Sequence, residues 1–240
     1  MIDSKRLFAK ELFNLYPDFV PTQALYLDLE GRKNGSEDIL SMYWPVLRGS
    51  ERFSWFKQGD STEINSRDLE AYLKSNRETS VDSIVVYSGG QESPDERTRL
   101  TELLGDDPFP NSTWINLLHV VQQCRDIKAS IREHRNVWYG RDQIRVRYSL
   151  EALEWEFGIE RPANIRSHSN RYKDLNDEFG QMKVLTNAKL SISGSATEDE
   201  ERSLREYCEA DVKNMFEIAY ASERLLFTRN ERRDRRKLRS

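Results

Sequence analysis

Residues 24–31 read ALYLDLEG, an apolar run typical of a β-strand that nevertheless carries two acids. Side chains of a strand alternate between its two faces, so the three leucines share one face. The other face consists of Ala24, Tyr26, Asp28 and Glu30. Two like charges side by side on a half-buried face are costly unless a cation compensates them. The stretch therefore predicts either a divalent metal site with oxygen ligands or a strand end at which both acids are solvated.

The composition is that of a polar globular protein. The 240 residues are 37% hydrophobic and 32% charged, and ten Phe, ten Tyr and five Trp are enough for a core. Two cysteines and three scattered histidines form neither a disulfide framework nor a zinc spacing. There is no apolar run of roughly 18 residues and no signal-peptide segment. We therefore expect a cytoplasmic protein with reduced thiols and no membrane partner.

Charge is distributed unevenly along the chain. Residues 229–240, RNERRDRRKLRS, hold seven Lys and Arg against two acids, although the net charge of the chain is −4. The rest carries 30 basic and 39 acidic residues. An acidic body with a basic tail predicts either contact of the tail with phosphate or a frayed, solvated terminus or helix end.

The order of the predicted elements indicates an α/β fold. A short helix precedes ALYLDLEG, and strands at 39–46 and 51–58 flank an RGS turn. Further on we predict a strand at 82–87, a strand or helix start at 114–121, and helices at 66–77, 95–104, 148–159, 175–185 and about 197–228. Three antiparallel strands followed by parallel ones would form a mixed sheet flanked by helices. We expect one domain at 1–228, with a helical extension at 1–23 and a basic tail at 229–240.

The longest predicted helix repeats the oddity of the first strand. Thr197 and Glu200 form a capping box at its start. Tyr207 and Asp211 are four residues apart and share a helical face, and apolar residues lie beside them: Leu204, Cys208 and Met215. Since acids are rarely buried without partners, Asp211 is a second candidate for a buried carboxylate with a function.

These motifs resemble the DEDD exonucleases of the DEDDy type, which have a ribonuclease-H-like fold. Asp28-x-Glu30 on a first strand and Tyr207-x-x-x-Asp211 on a late helix match the first and last motifs of that superfamily. The chain is more similar still to a bacterial branch of ribonuclease-H-like domains often fused to RecB-type nuclease segments. The resemblance covers about residues 24–226 and rests on the order and spacing of several short motifs.

Three internal segments match that branch with departures. Residues 87–92, YSGGQE, stand where the branch has Tyr-Asn-Gly and then an acid, so Ser88 replaces Asn and Glu92 takes the acid position in place of the commoner Asp. Asn116 replaces the first residue of Asp-Leu-Leu. Residues 148–159, YSLEALEWEFGI, match a Tyr-Ser-Leu-x-x-Leu-Glu…Gly-Ile helix.

The resemblance implies a metal-dependent 3′–5′ exonuclease that hydrolyses phosphodiester bonds of DNA or RNA and releases nucleoside 5′-monophosphates. It implies two Mg²⁺ or Mn²⁺ ions, which would stabilise the attacking and leaving oxygens together. The carboxylates that it assigns to these ions are Asp28, Glu30, Glu92 and Asp211. Tyr207 would orient the nucleophilic water, since a free tyrosine with a pKa near 10 is a poor base at neutral pH.

Plainer interpretations remain open for several of these residues. Tyr207 fits a core tyrosine, and Glu92 fits a helix cap before Pro94. A basic stretch predicts either nucleic-acid contact or a solvated loop; its members are Arg132, Arg135, Arg141, Arg145 and Arg147. The departures from the family pattern also allow a catalytically degenerate module. We expect a single-stranded 3′ end as substrate, and any protein partner to bind the last helix and tail.

Overall fold

The structure, a computed structural model, describes residues 3–30, 39–47, 50–57, 81–88, 95–139, 148–165 and 181–237. It has an α/β fold built on a five-stranded mixed sheet flanked by helices, which confirms the predicted fold class at this level. The predicted helix at 66–77 and the predicted acid Glu92 lie outside the described residues.

The sheet has the strand order β3-β2-β1-β4-β5, so β1 lies at its centre. The strands are β1 (Leu25–Glu30), β2 (Ile39–Leu47), β3 (Ser50–Lys57), β4 (Ser83–Val86) and β5 (Thr113–Asn116). β1, β2 and β3 pair antiparallel, whereas β4 runs parallel to both β1 and β5. This is the predicted arrangement of an antiparallel meander followed by parallel strands.

Helices pack on both faces of this sheet. They are α1 (Ser4–Leu15), α2 (Asp95–Leu104), α3 (Leu117–Gln123), α4 (Arg125–Tyr139), α5 (Leu150–Phe157), α6 (Gln181–Ile192), α7 (Glu198–Leu226) and α8 (Arg229–Lys237). Short 3₁₀ turns occupy Pro21–Gln23 and Ala163–Ile165. Among the helices described, none has the length and apolar character needed to cross a membrane.

The two faces of β1 belong to two different cores, as its alternating sequence predicts. Ala24 and Tyr26 pack with α1 and α7, where the Tyr26 ring meets Phe216 edge to face at 5.6 Å. Leu25, Leu27 and Leu29 pack on the other side with residues of β2, β4 and α2. Each fully buried leucine stabilises the fold by about 1.5–3 kcal/mol, so β1 is held from both sides.

Three predicted elements differ in their boundaries for local reasons. Residues 114–121 contain both alternatives, because β5 ends at Asn116 and the Asn116 side chain then caps α3. α5 begins after its cap Ser149 and ends at Gly158, whose φ of 76° favours glycine. α6 runs to Ile192, seven residues beyond the end of the helix predicted at 175–185.

The end of the chain is more ordered than the sequence suggests. α7 begins with the predicted capping box, in which Thr197 and Glu200 exchange hydrogen bonds. The segment expected as a basic tail contains a helix, α8, that directly follows α7 and packs on the body of the protein. Both cysteines, Cys124 and Cys208, are buried free thiols.

Candidate metal centre

Three of the carboxylates singled out in the sequence meet where β1 ends beside α7. One oxygen each from Asp28, Glu30 and Asp211 lies within 4.8 Å of the others. β1 directs its two acids toward α7 because they continue the face of Ala24 and Tyr26. On α7, Asp211 adjoins the core residues Val212 and Met215, so the packing of the helix fixes its position.

The surroundings of these acids oppose their ionisation. Burial, followed by the charge of Glu96, raises the pKa of Asp28 from its usual 3.8 to about 7. Burial and the charges of Asp28 and Asp211 raise the pKa of Glu30 well above its usual range. Among the described residues, the buried Asp28 Oδ2 atom has no hydrogen-bond partner. The cluster therefore carries a cost that a bound cation would relieve.

Arg161, which was not predicted from the sequence, supplies positive charge beside these acids. Its side chain is 2% exposed and donates two hydrogen bonds to Glu154, from Nε at 2.8 Å and from Nη2 at 2.5 Å. The same Nη2 atom donates to Asp211 Oδ1. The guanidinium also lies over the Tyr207 ring at 5.1 Å. Arg161 thus joins α5, α7 and the acidic cluster.

The pKa values of Arg161 and Asp211 shift in the directions expected for a buried ion pair. Burial alone would lower the pKa of Arg161, but Asp211 and Glu154 raise it well above its usual value. Burial raises the pKa of Asp211; Arg161 opposes this shift, and Asp28 and Glu154 add to it. The arginine therefore remains charged and stabilises Asp211 without neutralising the whole cluster.

Glu154 carried a signal that could have revealed Arg161. It lies four residues after Leu150 and next to Leu153, on the inward side of an amphipathic helix. Its side chain is buried and also accepts a hydrogen bond from Asn214 of α7 at 3.1 Å. A glutamate in that position requires a cationic partner, although the sequence does not indicate which arginine provides it.

Helix α2, which follows the YSGGQE segment in the sequence, brings two charged residues close to β1. Glu92 lies outside them, but Glu96 is 6% exposed and its charge contributes to the raised pKa of Asp28. One turn later, Arg99 donates from Nη1 to the carbonyl oxygen of Leu29 at 3.0 Å. Neither residue was predicted from the sequence. α2 therefore presents an acid and an arginine to the end of β1.

Tyr207 lies against the cluster and remains protonated at neutral pH. Burial, Asp211 and Glu30 raise its pKa well above 10, and Arg161 only partly opposes this. Its ring also packs against a small apolar group that includes Leu204 and Cys208. The structure thus combines the two interpretations of this tyrosine, a core ring and a hydroxyl beside the acids.

Asn116 and Ser88 connect the ends of two parallel strands. Asn116 Nδ2 donates to the Ser88 carbonyl oxygen at 3.0 Å, and Asn116 Oδ1 accepts from Ser88 N–H at 3.3 Å. The same oxygen accepts from Leu118 N–H at 3.0 Å and so caps α3. An amide is needed to donate and accept at once, so Asn116 in place of Asp serves the fold.

The predicted basic stretch is only partly described. Arg132 is an exposed residue of α4, and its guanidinium lies 5.9 Å from the centre of the Tyr148 ring. The side chain of Arg135 lies outside the described residues, as do the three remaining members of the set, Arg141, Arg145 and Arg147. Nucleic-acid contact by this stretch stays a prediction.

Comparison with known proteins does not assign the chain to a family. No protein-family model matches the sequence, and searches of curated proteins and of solved structures give no significant match. The resemblance to DEDD exonucleases therefore rests on the quoted motifs.

Proposed function

We propose that this protein is a metal-dependent nuclease that hydrolyses phosphodiester bonds of DNA or RNA from the 3′ end. The observation that carries the proposal is the cluster of Asp28, Glu30 and Asp211, contributed by the first strand and a late helix. Nearby acids enlarge the cluster's negative charge, and the described cations beside it are Arg99 and Arg161. The acids of this region are Asp28, Glu30, Glu96, Glu151, Glu154 and Asp211.

The donor set fits two Mg²⁺ or Mn²⁺ ions, because hard divalent cations prefer carboxylate oxygens. Asp28, Glu30 and Asp211 would hold them, and the buried Asp28 Oδ2 atom is an available ligand. Such ions, when bound, ionise a water and stabilise charge on the attacking and leaving oxygens. Either Glu92, as the resemblance implies, or Glu96, as the position of α2 favours, would complete the set.

The remaining groups of the centre position these carboxylates and the water. Arg161 holds Asp211 and Glu154 in place, since one guanidinium binds both. Tyr207 keeps its proton at neutral pH, so it would donate a hydrogen bond to the water or to a phosphate oxygen and would not act as a base. Burial of the centre strengthens these interactions because it lowers the local dielectric constant.

The architecture is compatible with this function. Three antiparallel strands followed by parallel ones are what the resemblance to ribonuclease-H-like domains predicts. The acids of β1, and Ser88 and Asn116 after β4 and on β5, lie at the carboxyl ends of the parallel strands, where open α/β sheets bind ligands. Because one fold serves many functions, the acidic cluster carries more weight than the architecture.

A catalytically degenerate module is the second candidate. The observation that favours it is the ion pair between Arg161 and Asp211, which gives one of the three acids a cation within the protein. On this alternative the protein binds nucleic acid or a protein partner and does not cut. The two candidates differ in metal binding and in turnover.

The deciding experiment is incubation of 5′-labelled DNA and RNA strands with the full chain in Mn²⁺, Mg²⁺ or EDTA. A nuclease that acts from the 3′ end gives a ladder of shortened 5′-labelled products in metal and none in EDTA. We expect Asp28→Asn and Asp211→Asn each to lower the rate by about 10³-fold or more, because each removes a ligand charge. Glu156→Gln is the matched control, since this buried acid bonds Ser4 and Ser130 away from the cluster.

Two results would contradict the proposal. Turnover that survives both substitutions would place the activity elsewhere or in a contaminant. Absence of turnover, together with Mn²⁺ failing to raise the melting temperature of the wild type, would favour the degenerate module. Melting in Mn²⁺ therefore accompanies every activity measurement, because bound metal stabilises only the folded state.

A further inference from the structure

Five of the six cations of helix α8 lie on one side of the helix, and both of its acids lie off that side. Residues at positions i, i+3, i+4, i+7 and i+8 share one side of a helix. In α8 these positions are all cationic: Arg229, Arg232, Arg233, Arg236 and Lys237. Both acids, Glu231 and Asp234, fall outside this series.

Contacts with the body of the protein fix the orientation of α8. Arg235 lies on the other side of the helix and donates to the carbonyl oxygens of Pro17 at 2.9 Å and Phe19 at 2.8 Å. Its guanidinium also lies 4.4 Å from the centre of the Phe227 ring. Gln23 Nε2 donates to the Arg236 carbonyl oxygen at 3.2 Å. These contacts therefore fix the direction in which the cationic side of α8 faces relative to the rest of the protein.

That side forms a wall of a groove of about 790 Å³. The other lining residues are Asn230 of α8, Tyr220 of α7 and Gln23 of the turn before β1. No acidic side chain is among the described residues that line the groove. Two acids pair with lining arginines from outside the groove: the fully buried Glu223, 3.2 Å from Arg236 Nη2, and the exposed Asp234, 3.9 Å from Arg233 Nε. The groove thus combines concentrated positive charge with amide groups and one aromatic side chain.

We propose that this groove binds the sugar-phosphate backbone of a nucleic acid strand. Arginine and lysine neutralise phosphates, and Arg229, Arg233 and Lys237 are exposed at the surface of the groove. The partly exposed Tyr220 offers a ring to a base or sugar, while amides bind polar edges. The concave shape favours a strand that enters the groove over a flat anionic membrane.

The groove lies away from the acidic centre. Gln23 precedes β1, and Asp28 lies about 17 Å further along that strand. Tyr220 follows Asp211 by about 13 Å along α7 and half a turn around it. The groove is therefore a second contact for the polymer, remote from the reacting bond. At a rise of about 3.4 Å per nucleotide, a strand needs roughly five nucleotides to reach from one site to the other.

This inference rests on the proposed function for its choice of a polynucleotide, but binding can be measured without turnover. Fluorescence anisotropy in EDTA would follow a labelled single strand of about 15 nucleotides between about 0.05 and 0.2 M salt. The test variant replaces Arg229, Arg233 and Lys237 by Gln, which leaves the anchoring Arg235 intact. The matched control replaces exposed Arg6, Arg125 and Lys189 by Gln, on α1, α4 and α6.

We expect the groove variant to bind at least about tenfold more weakly and to reduce the slope of log Kd against log salt by about two, since each phosphate contact on a single strand contributes about 0.7. The control variant should keep most of the wild-type affinity and slope. Tyr220→Leu should weaken binding without changing the salt slope, because stacking is not ionic.

Equal affinity and slope for the groove variant and the wild type would overturn the inference. So would binding of anionic phospholipid vesicles, but no strand, by the wild type and loss of that binding in the groove variant. Circular dichroism and melting of each variant identify any loss of folding. If Asp28→Asn loses turnover but still binds the strand in EDTA, only the acidic centre is impaired. If the groove variant loses strand binding in EDTA but keeps turnover, only the groove is impaired. These two results distinguish the failure of one proposal from the failure of the other.

Discussion

Ionisation of Asp28 lowers the free energy of unfolding. Its pKa is about 7 in the folded chain and 3.8 for the ordinary group, so between these values the folded state binds more protons than the unfolded state. Stability falls with rising pH wherever the folded state holds the extra protons. The contribution of Asp28 is therefore most favourable below about pH 4 and is lost as the pH rises through 7.

Asp28→Asn tests this relation in the metal-free protein. We expect the variant to be more stable than the wild type at about pH 8 in EDTA, by about 1–3 kcal/mol, and the difference to shrink toward pH 5. Urea unfolding at several pH values measures it, with the exposed Asp106→Asn as control. Excess Mn²⁺ should stabilise only the wild type. Parallel pH profiles for Asp28→Asn and wild type would contradict the expectation.

Arg161 has the opposite relation to stability. We expect Arg161→Met to lower the free energy of unfolding by about 3–5 kcal/mol at pH 7, because it leaves Glu154 and Asp211 buried without their cation. Arg161→Lys should lower the free energy of unfolding by less, because it keeps the positive charge. It should still be destabilising, because a lysine cannot bridge both carboxylates in the same way. Urea unfolding measures both variants. The loss should become smaller as the pH is lowered, because burial raises the pKa of Asp211 and protonation removes its unpaired charge; an equal loss at every pH would argue against a charge effect.

Among the secondary-structure elements, β5 and α3 depend on one side chain. Asn116→Ala removes the cap of α3 and the two bonds to Ser88, and we expect it to cost about 2–3 kcal/mol. Asn116→Asp, which restores the residue of the family pattern, should cost about 1 kcal/mol because a carboxylate cannot donate to the Ser88 carbonyl oxygen. Thermal unfolding compares them. An Asn116→Asp protein at least as stable as the wild type would refute this role for the amide.

The elements that the sequence predicts well are those with local signals. Alternation in ALYLDLEG gives both faces of β1, and Thr197 with Glu200 gives the start of α7. Residues 114–121 were ambiguous because the two apolar residues of the strand, Trp114 and Ile115, are followed closely by the apolar residues of a helix. The decisive cap, Asn116, is a polar residue between them. Where the signal lies in one side chain's hydrogen bonds, periodicity does not detect it.

Only some residues of the acidic centre could be predicted from the sequence in the same way. Asp28 and Asp211 stand out because each is an acid in an apolar pattern, and the structure brings them together. Arg161 lies in a polar segment, where an arginine is unremarkable, and its importance comes from partners far away in sequence. Glu96 likewise reaches Asp28 only through the packing of α2. Long-range pairing of charges is a property of the tertiary structure.

The attachment of α8 concerns the molecule as a whole, since it joins the last helix to residues before the first strand. We expect Arg235→Gln to weaken this attachment by about 1–2 kcal/mol, through loss of two hydrogen bonds and the contact with Phe227. Hydrogen exchange should become faster in residues 229–237 while the sheet keeps its protection. The exposed Arg233→Gln is the control. Unchanged exchange in the Arg235 variant would mean that other contacts hold the helix.

The acidic cluster joins β1 to α7, so most of the sequence lies between Asp28 and Asp211. During synthesis β1 is made before α7, so the face of β1 that bears Tyr26 and Asp28 is covered only after α7 has been made. The hairpin of β2 and β3 can assemble locally in the meantime, because its contacts are close in sequence. The acidic cluster is therefore complete only after α7 packs on β1, and we expect the proposed metal binding to report that step of folding.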